Sequence, residues 1–374
     1  DDDPQKVEIS GNYLRDDLTQ QISIDGVYTL NNKIDGTSLI CNGVFDFERF
    51  IGNDPKTYIS EKFGGIRINN DLGYNINLVL RKGGKIKLKT PNGSFVGEKT
   101  NLIQDNGHYV STYSGTMTNK NQTLTSIGTF DSNLVLLDGE IKIKTDSEII
   151  NFAFDRLKIN HISKSNLNYS GEVRGTYLNK NENLEGLFNT DFNLELDKCN
   201  LVKKAELNAK PTQICGKIQH HTSDGAFFEG ELLSMEQRNK AKNLPQFVKS
   251  PKFSVIYTGN YYFLNDQKEY IFNKSGVFSE NYQHEYGEVY MQNAFGKPYS
   301  FTGEYDRERG FKGILKNPAN DDYKNGNFDE TLDFVSGKFR QHYHNFAIFE
   351  GETSDLQTAT GVLSREGDFV QKGN

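Results

Sequence analysis

Phe301-Thr302-Gly303-Glu304-Tyr305 opens the stretch that decides the fold, because its pattern, apolar–x–Gly–x–apolar, returns at once. It recurs as Phe311-Lys312-Gly313-Ile314-Leu315, Val335-Ser336-Gly337-Lys338-Phe339 and Phe349-Glu350-Gly351-Glu352-Thr353. The glycines Gly303, Gly313, Gly326, Gly337, Gly351 and Gly361 follow one another at steps of 10, 13, 11, 14 and 10 residues. Neighbouring steps sum to about 24, the length of a two-stranded repeat unit. Side chains alternate along a strand, so the glycine and both flanking apolar residues share one face. Without a side chain there, a neighbouring ring can lie across the strand.

The pattern extends toward the N-terminus. It includes Ile9-Ser10-Gly11-Asn12-Tyr13, Ile24-Asp25-Gly26-Val27-Tyr28, Tyr113-Ser114-Gly115-Thr116-Met117, Tyr169-Ser170-Gly171-Glu172-Val173, Phe228-Glu229-Gly230-Glu231-Leu232 and Tyr257-Thr258-Gly259-Asn260-Tyr261. Asn31-Asn32-Lys33, Asn119-Lys120-Asn121 and Asn325-Gly326 read as turns, since Asn and Gly tolerate positive φ. Short strands with regular turn signals predict an all-β chain, an elongated single-layer antiparallel sheet or β-hairpin solenoid. Gly65–Thr90 and Ile141–Ile162 alternate more strictly and read as longer strands. One minor helix is expected, at 235–243, closed by Pro245 and Pro251. The expected division is an N-terminal array over 1–232, a linker or short helix over 233–256, and a C-terminal array over 257–374.

Composition supports this class. Among 374 residues, 26 Phe, 19 Tyr and 35 Gly stand against no Trp and 8 Pro. So many aromatics argue against disorder, and no apolar run reaches the ~20 residues of a membrane-spanning helix. Lys plus Arg number 43 against 50 Asp plus Glu, a net charge of −7 with no basic stripe, which argues against nucleic acid. Cys41, Cys199 and Cys215 are dispersed, allow at most one internal disulfide and form no CxxC, so a reducing compartment is favoured. An opening Asp1-Asp2-Asp3-Pro4 without Met is compatible with a processed form or a fragment, which keeps secretion open. The sequons at Asn92, Asn121, Asn168 and Asn273 are no more than an Asn-rich chain produces by chance.

Tyr169-Ser170-Gly171-Glu172, Phe228-Glu229-Gly230-Glu231, Phe301-Thr302-Gly303-Glu304-Tyr305 and Phe349-Glu350-Gly351-Glu352 resemble the start of the MORN (membrane occupation and recognition nexus) repeat, a unit of about 23 residues. The resemblance covers the C-terminal third well and the rest loosely, and the Gly-x-Gly of the family's second half-repeat is degraded. It implies hairpins stacked side by side, an extended protein partner along the sheet, and a place in a cytoskeletal, ciliary or cortical assembly. Heavy Asn, Lys, Phe and Tyr use suggests an AT-rich genome such as a protist's. Acidic lipid, also associated with such sheets, is the weaker partner class here. No motif of an appended SET methyltransferase and no phosphate loop GxxxxGK[ST] is present.

The candidate binding residues are the aromatic stripe: Tyr113, Tyr169, Phe228, Tyr257, Phe301, Tyr305, Phe311, Phe328, Phe339 and Phe349. The structural glycines are Gly115, Gly171, Gly230, Gly259, Gly303, Gly313, Gly326, Gly337, Gly351 and Gly361. The stripe reads either as the core of a thin sheet or as core plus an open groove. Glu172, Glu231, Glu304 and Glu352 repeat at one position, which suits a charged ridge on the opposite face better than a catalytic pair. His342-Tyr343-His344 has a spacing a metal could use, but no third ligand is marked. His220-His221 reads as a loop entering a turn. The expectation is therefore a non-enzymatic scaffold, without metal or cofactor, that binds proteins. A secreted glycan-binding β-protein is the alternative, and a hydrolase on a β-sandwich or β-helix is the second.

Overall fold

Strand follows strand from Gln5 to Gly373 in the computed structural model, which describes residues 5–19, 22–50, 65–69, 75–103, 109–154, 158–223, 225–242, 244, 249, 256–293, 298–343, 347–355, 358–365 and 369–373. Among the described residues the chain is all-β, a long open antiparallel sheet with one six-residue helix. It divides into two compact units. Unit 1 is Asp1–Lys180 with Leu187–Thr212, and unit 2 is Asn181–Gly186 with Gln213–Asn374. Among the described residues no helix is long and apolar enough to cross a membrane.

Unit 1 contains β1 (Gln5–Arg15), β2 (Ile22–Asn32), β3 (Thr37–Phe50), β4 (Gly65–Asn69), β5 (Asn75–Leu80), β6 (Lys85–Thr90), β7 (Gly93–Ile103), β8 (Tyr109–Asn119), β9 (Leu124–Phe130), β10 (Leu136–Lys144), β11 (Glu148–Ala153), β12 (Lys158–Ser163), β13 (Asn166–Asn179), most of β14 (Glu182–Leu196) and β15 (Val202–Leu207). Pairing runs β1–β2–β3, and β3 then splits between β6 on its first half and β5, with β4 beyond, on its second. From β6 it continues through β7, β8, β9, β10 and β11 to β13. β13 exchanges β12 for β11 along its length, with Gly171 at the changeover. The stretches 65–90 and 141–162 hold strands of 9 residues or fewer, whereas β3, β13 and β14 reach 14, 14 and 15. Strict alternation marks a half-buried strand without fixing its length; strand length here follows the number of partners.

The sheet of unit 1 bends back on itself. β15 lies against β8 and β9 although hydrogen-bonded neighbours separate them, and Thr90 Oγ1 donates to Asp197 Oδ2 at 3.0 Å from the turn after β14. One face is thereby closed off. Phe95, Tyr113, Phe130, Phe152, Tyr169, Phe188 and Phe192 are all at most 1% exposed. Phe95 meets Phe130 edge-on at 5.2 Å and Tyr169 stacks on Phe192 at 5.2 Å, the offset and T-shaped geometries that ring quadrupoles favour.

Unit 2 is a meander. Gly186 of β14 faces Gly216 of β16 (Thr212–His221). There follow β17 (Phe227–Leu232), α1 (Met235–Lys240), β18 (Ile256–Leu264), β19 (Tyr270–Ser279), β20 (His284–Met291), β21 (Ser300–Asp306), β22 (Gly310–Lys316), β23 (Tyr323–Phe328), β24 (Phe334–His342), β25 (Ala347–Thr353), β26 (Ala359–Arg365) and β27 (Phe369–Gly373). Each strand from β16 on pairs with the next. β17 and β18 pair directly, so the segment 233–256 joins adjacent strands of one unit. Its helix starts where Ser234 and Gln237 form a capping box, satisfying two amide donors of the first turn. Of the residues expected to close it, Pro245 and Pro251 lie outside the described residues.

Glycine faces glycine across strand after strand. In unit 1 the rows are Gly11–Gly26–Gly43 and Gly97–Gly115–Gly128–Gly139. In unit 2 they are Gly230–Gly259–Gly276–Gly287, Gly303–Gly313–Gly326–Gly337 and Gly351–Gly361–Gly373. Between rows the register steps by two residues: Gly287 faces Tyr305, and Gly337 faces Thr353. Asn325-Gly326 is therefore no turn. Gly326 sits mid-strand in β23 because the row requires it there.

Candidate partner-binding face

The register of unit 2 puts the glycine rows and the flanking apolar residues on one face. Phe301, Leu315, Lys324 and Phe339 face one another in succession on one side of Gly303–Gly337, and Tyr305, Phe311 and Phe328 on the other. Rings fill the space the glycines leave. The Phe301 ring would lie 2.9 Å from a Cβ on Gly313, and the Phe349 ring 2.7 Å from one on Gly351 or Gly361. Ring contacts continue from Tyr305 to Phe311 (4.7 Å), Phe301 (5.6 Å), Phe328 (5.5 Å) and Phe334 (5.3 Å), then to Phe339 (6.1 Å) and Phe349 (5.4 Å).

The ten aromatic candidates do not share one environment. Tyr113 and Tyr169 lie in the closed interior of unit 1, where the sheet covers its own face, and they present no binding surface. Phe228, Phe301 and Phe328 are fully buried beneath their neighbours. Tyr257, Tyr305, Phe311, Phe339 and Phe349 are half-buried on the face of unit 2. The glutamates Glu172, Glu231, Glu304 and Glu352 are exposed, and Glu352 pairs with Lys338 at 3.1 Å on the opposite face.

Several residues of the face carry no glycine pattern and come from the turns. Six turns among the described residues share one five-residue form: 131–135, 197–201, 222–226, 265–269, 279–283 and 329–333. In each, the first N–H donates to the fifth carbonyl and the fourth N–H to the first. The fourth residue, Leu134, Asn200, Gly225, Lys268, Tyr282 or Leu332, has φ between +57° and +86°. The Asp329 carboxylate accepts from the amides of Thr331 (2.9 Å) and Asp333 (2.8 Å) and from the Thr331 hydroxyl, which holds its pKa below the ordinary value. An Asp, Asn, Ser or Thr at the first position is the signal for this turn. Leu332 folds back onto Val289, Phe301 and Phe328. Tyr282 stacks on His220 (4.7 Å) and Tyr257 (5.2 Å), and burial pushes its pKa up. Beneath the turn 329–333 lies a cavity of about 250 Å³, lined by Tyr299, Leu315, Lys324, Leu332 and Gln341 among others.

The histidines take different places from those expected. His220 and His221 end β16, opposite Phe228 and Phe227, so they belong to a strand and not a loop, and they lead into the expected turn at 222–226. His342 Nδ1 lies 2.6 Å from Asp322 Oδ1, which also accepts from the His342 amide at 2.7 Å; His344 lies outside the described residues. Among the described residues no three His, Cys, Asp or Glu side chains are grouped to hold a metal. His284, opposite Phe278 and between its ring and that of Tyr305, is buried, and burial lowers its pKa to about 4. Cys41, Cys199 and Cys215 are free thiols, and burial raises that of Cys41 to about 12. Compared with protein-family models, curated proteins and solved structures, the chain matches none.

Proposed function

We propose that the protein is a non-enzymatic scaffold that docks protein partners along the half-open aromatic face of unit 2. The observation that carries this is a contrast within one chain. Both units use the same apolar–x–Gly–x–apolar strands, yet unit 1 covers its aromatic face with its own sheet while unit 2 leaves Tyr257, Tyr305, Phe311, Phe339 and Phe349 half-buried. A continuous apolar patch of this kind is costly to keep in water and marks interaction sites. The MORN-like motifs quoted above support the same reading. By that resemblance the partners belong to a cytoskeletal or ciliary assembly.

Crosslinking mass spectrometry in a native extract tests it. Crosslinks from residues of 257–353 to a fixed set of structural proteins, retained through salt and detergent washes and lost with Tyr305→Ser/Phe339→Ser, are expected. A chain that washes free without partners, or crosslinks indifferent to the double variant, would sink the proposal.

A further inference from the structure

β1 is an edge of the sheet of unit 1. Among the described residues it pairs with β2 alone, over Gln5–Arg15, eleven residues without proline and without a shift of register. Sheets usually blunt such an edge with prolines, bulges or short strands, because a row of open backbone groups is a template for another strand. A Cβ on Gly11 would fall 2.7 Å from the Cα of Gly26, which marks the two as a close, non-hydrogen-bonded pair. The N–H and C=O of Gly11 therefore point away from β2, and so do those of Ile9, two residues along the strand.

The interior face of unit 1 also runs out at this edge. Two of its cross-strand rows read Cys41, Tyr28, Ile9 and Phe45, Ile24, Tyr13. Cys41, Tyr28 and Phe45 are buried, whereas Ile9 is 37% exposed and Tyr13 68%. Between the rows lies Gly43–Gly26–Gly11, which ends at the same edge. A further strand continues all three rows if it sets a glycine opposite Gly11 and an apolar residue two positions to either side.

We infer that the added strand is β1 of a second copy of this chain, antiparallel and related by a twofold axis at Gly11. That register sets Gly11 opposite Gly11 and Ile9 opposite Tyr13 on both sides of the axis. It repeats what β1 already does with β2, where Ile9 faces Tyr28, Gly11 faces Gly26 and Tyr13 faces Ile24. Charge favours the same register: Lys6 comes opposite Asp16 of the second copy, and no like charges of β1 face each other. A slip of two residues one way sets Glu8 against Asp16, and the other way sets Ile9 against Gly11. The contact is isologous, so it closes at two copies. β27, with five residues, would cover only part of this edge.

Sedimentation velocity of the full chain from about 1 to 100 μM tests this. An association that stops at a dimer is expected. Ile9→Lys replaces both apolar pairs across the axis with an ammonium against Tyr13 and should weaken the dimer at least about tenfold. Ile9→Lys combined with Tyr13→Glu gives each introduced ammonium a carboxylate from the other copy and should regain most of that loss, which a merely damaged fold would not do. A monomer throughout, a dimer indifferent to Ile9→Lys, or a double variant no tighter than Ile9→Lys alone overturns the inference. Growth past two copies as concentration rises overturns it as well, since it assigns the β1 edge to head-to-tail pairing with a different strand.

Discussion

Gly326 of β23 and Gly337 of β24 face each other so closely that a Cβ on Gly326 would fall 2.8 Å from the Cα of Gly337 and 2.0 Å from the Ser336 carbonyl oxygen. A Cβ on Gly337 would meet the Cα of Gly326 at 2.7 Å, and Gly337 also has φ +134°. The obstacle is backbone in both directions, so no rotamer change relieves it. Gly337→Ala carries steric clash and backbone strain together and is expected to cost about 2–4 kcal/mol. Gly326→Ala should cost nearly as much. Asn325→Ala, exposed on the other face, should stay within about 0.5 kcal/mol. Urea midpoints at constant m-value check all three, and a mild Gly337→Ala would disprove the packing role of the row.

The five-residue turns make opposite predictions at equivalent positions. Lys268 and Leu332 both occupy the fourth position, with φ of +63° and +60°. Lys268 is exposed, so Lys268→Gly removes left-handed strain without losing packing and should stabilise by about 1 kcal/mol. Leu332 is buried on Phe301 and Phe328. Leu332→Gly relieves the same strain but loses a core side chain and should destabilise by about 2 kcal/mol net. Opposite shifts in melting temperature are expected.

The two turn residues also show where sequence reading stops. Alternation and glycine spacing reveal strands and their shared face, because a period of two is a local property. Leu332 and Tyr282 sit at positive φ against their own preference, since the sheet they fold onto rewards the side chain more than the backbone resists. Asn325-Gly326 fails in the converse way: a good local turn signal is overridden by Gly326's place opposite Gly313 and Gly337. The burial of Tyr113 and Tyr169 was not legible, because unit 1 closes through contacts as distant as Thr90 with Asp197, while its strand motif equals that of unit 2. Lys274 and Lys324 can be placed on the aromatic face by counting two residues from Gly276 and Gly326, but that Lys324 shares a cavity with Asp322 and Asp333 emerges only from the fold.

His284 makes stability depend on pH. Its ring lies against Phe278 and Tyr305, its Nε2 is 3.2 Å from the Ser275 carbonyl oxygen, and its folded pKa is about 4 against an ordinary value of 6.5. The unfolded chain therefore binds more protons between those values. The stabilisation is complete above pH 6.5 and is lost as pH falls toward 4, amounting to about 3 kcal/mol across the window. His284→Phe should abolish that part of the slope in urea titrations between pH 6.5 and 4. A variant with the same slope would show that the imidazole is not held neutral by the fold.

Core and docking face should separate under mutation. Phe95 of unit 1 is fully buried, packed on Tyr113 and Phe130, and covers Gly97 and Gly115. Phe95→Ala deletes a ring the sheet has enclosed and is expected to cost about 3–5 kcal/mol. Phe339 occupies the same kind of strand position in unit 2 but keeps part of its ring in water, touching Phe334 and Phe349 alone among the described rings. Phe339→Ser should cost about 1–2 kcal/mol, less than Phe95→Ala, because its ring is only partly enclosed and less transfer free energy is at stake. The same substitution should abolish most partner retention if this face does the docking. A variant that unfolds the protein before releasing its partner would place Phe339 in the core and leave the face without a docking role; one that keeps the fold and loses the partner separates packing from recognition at a single residue.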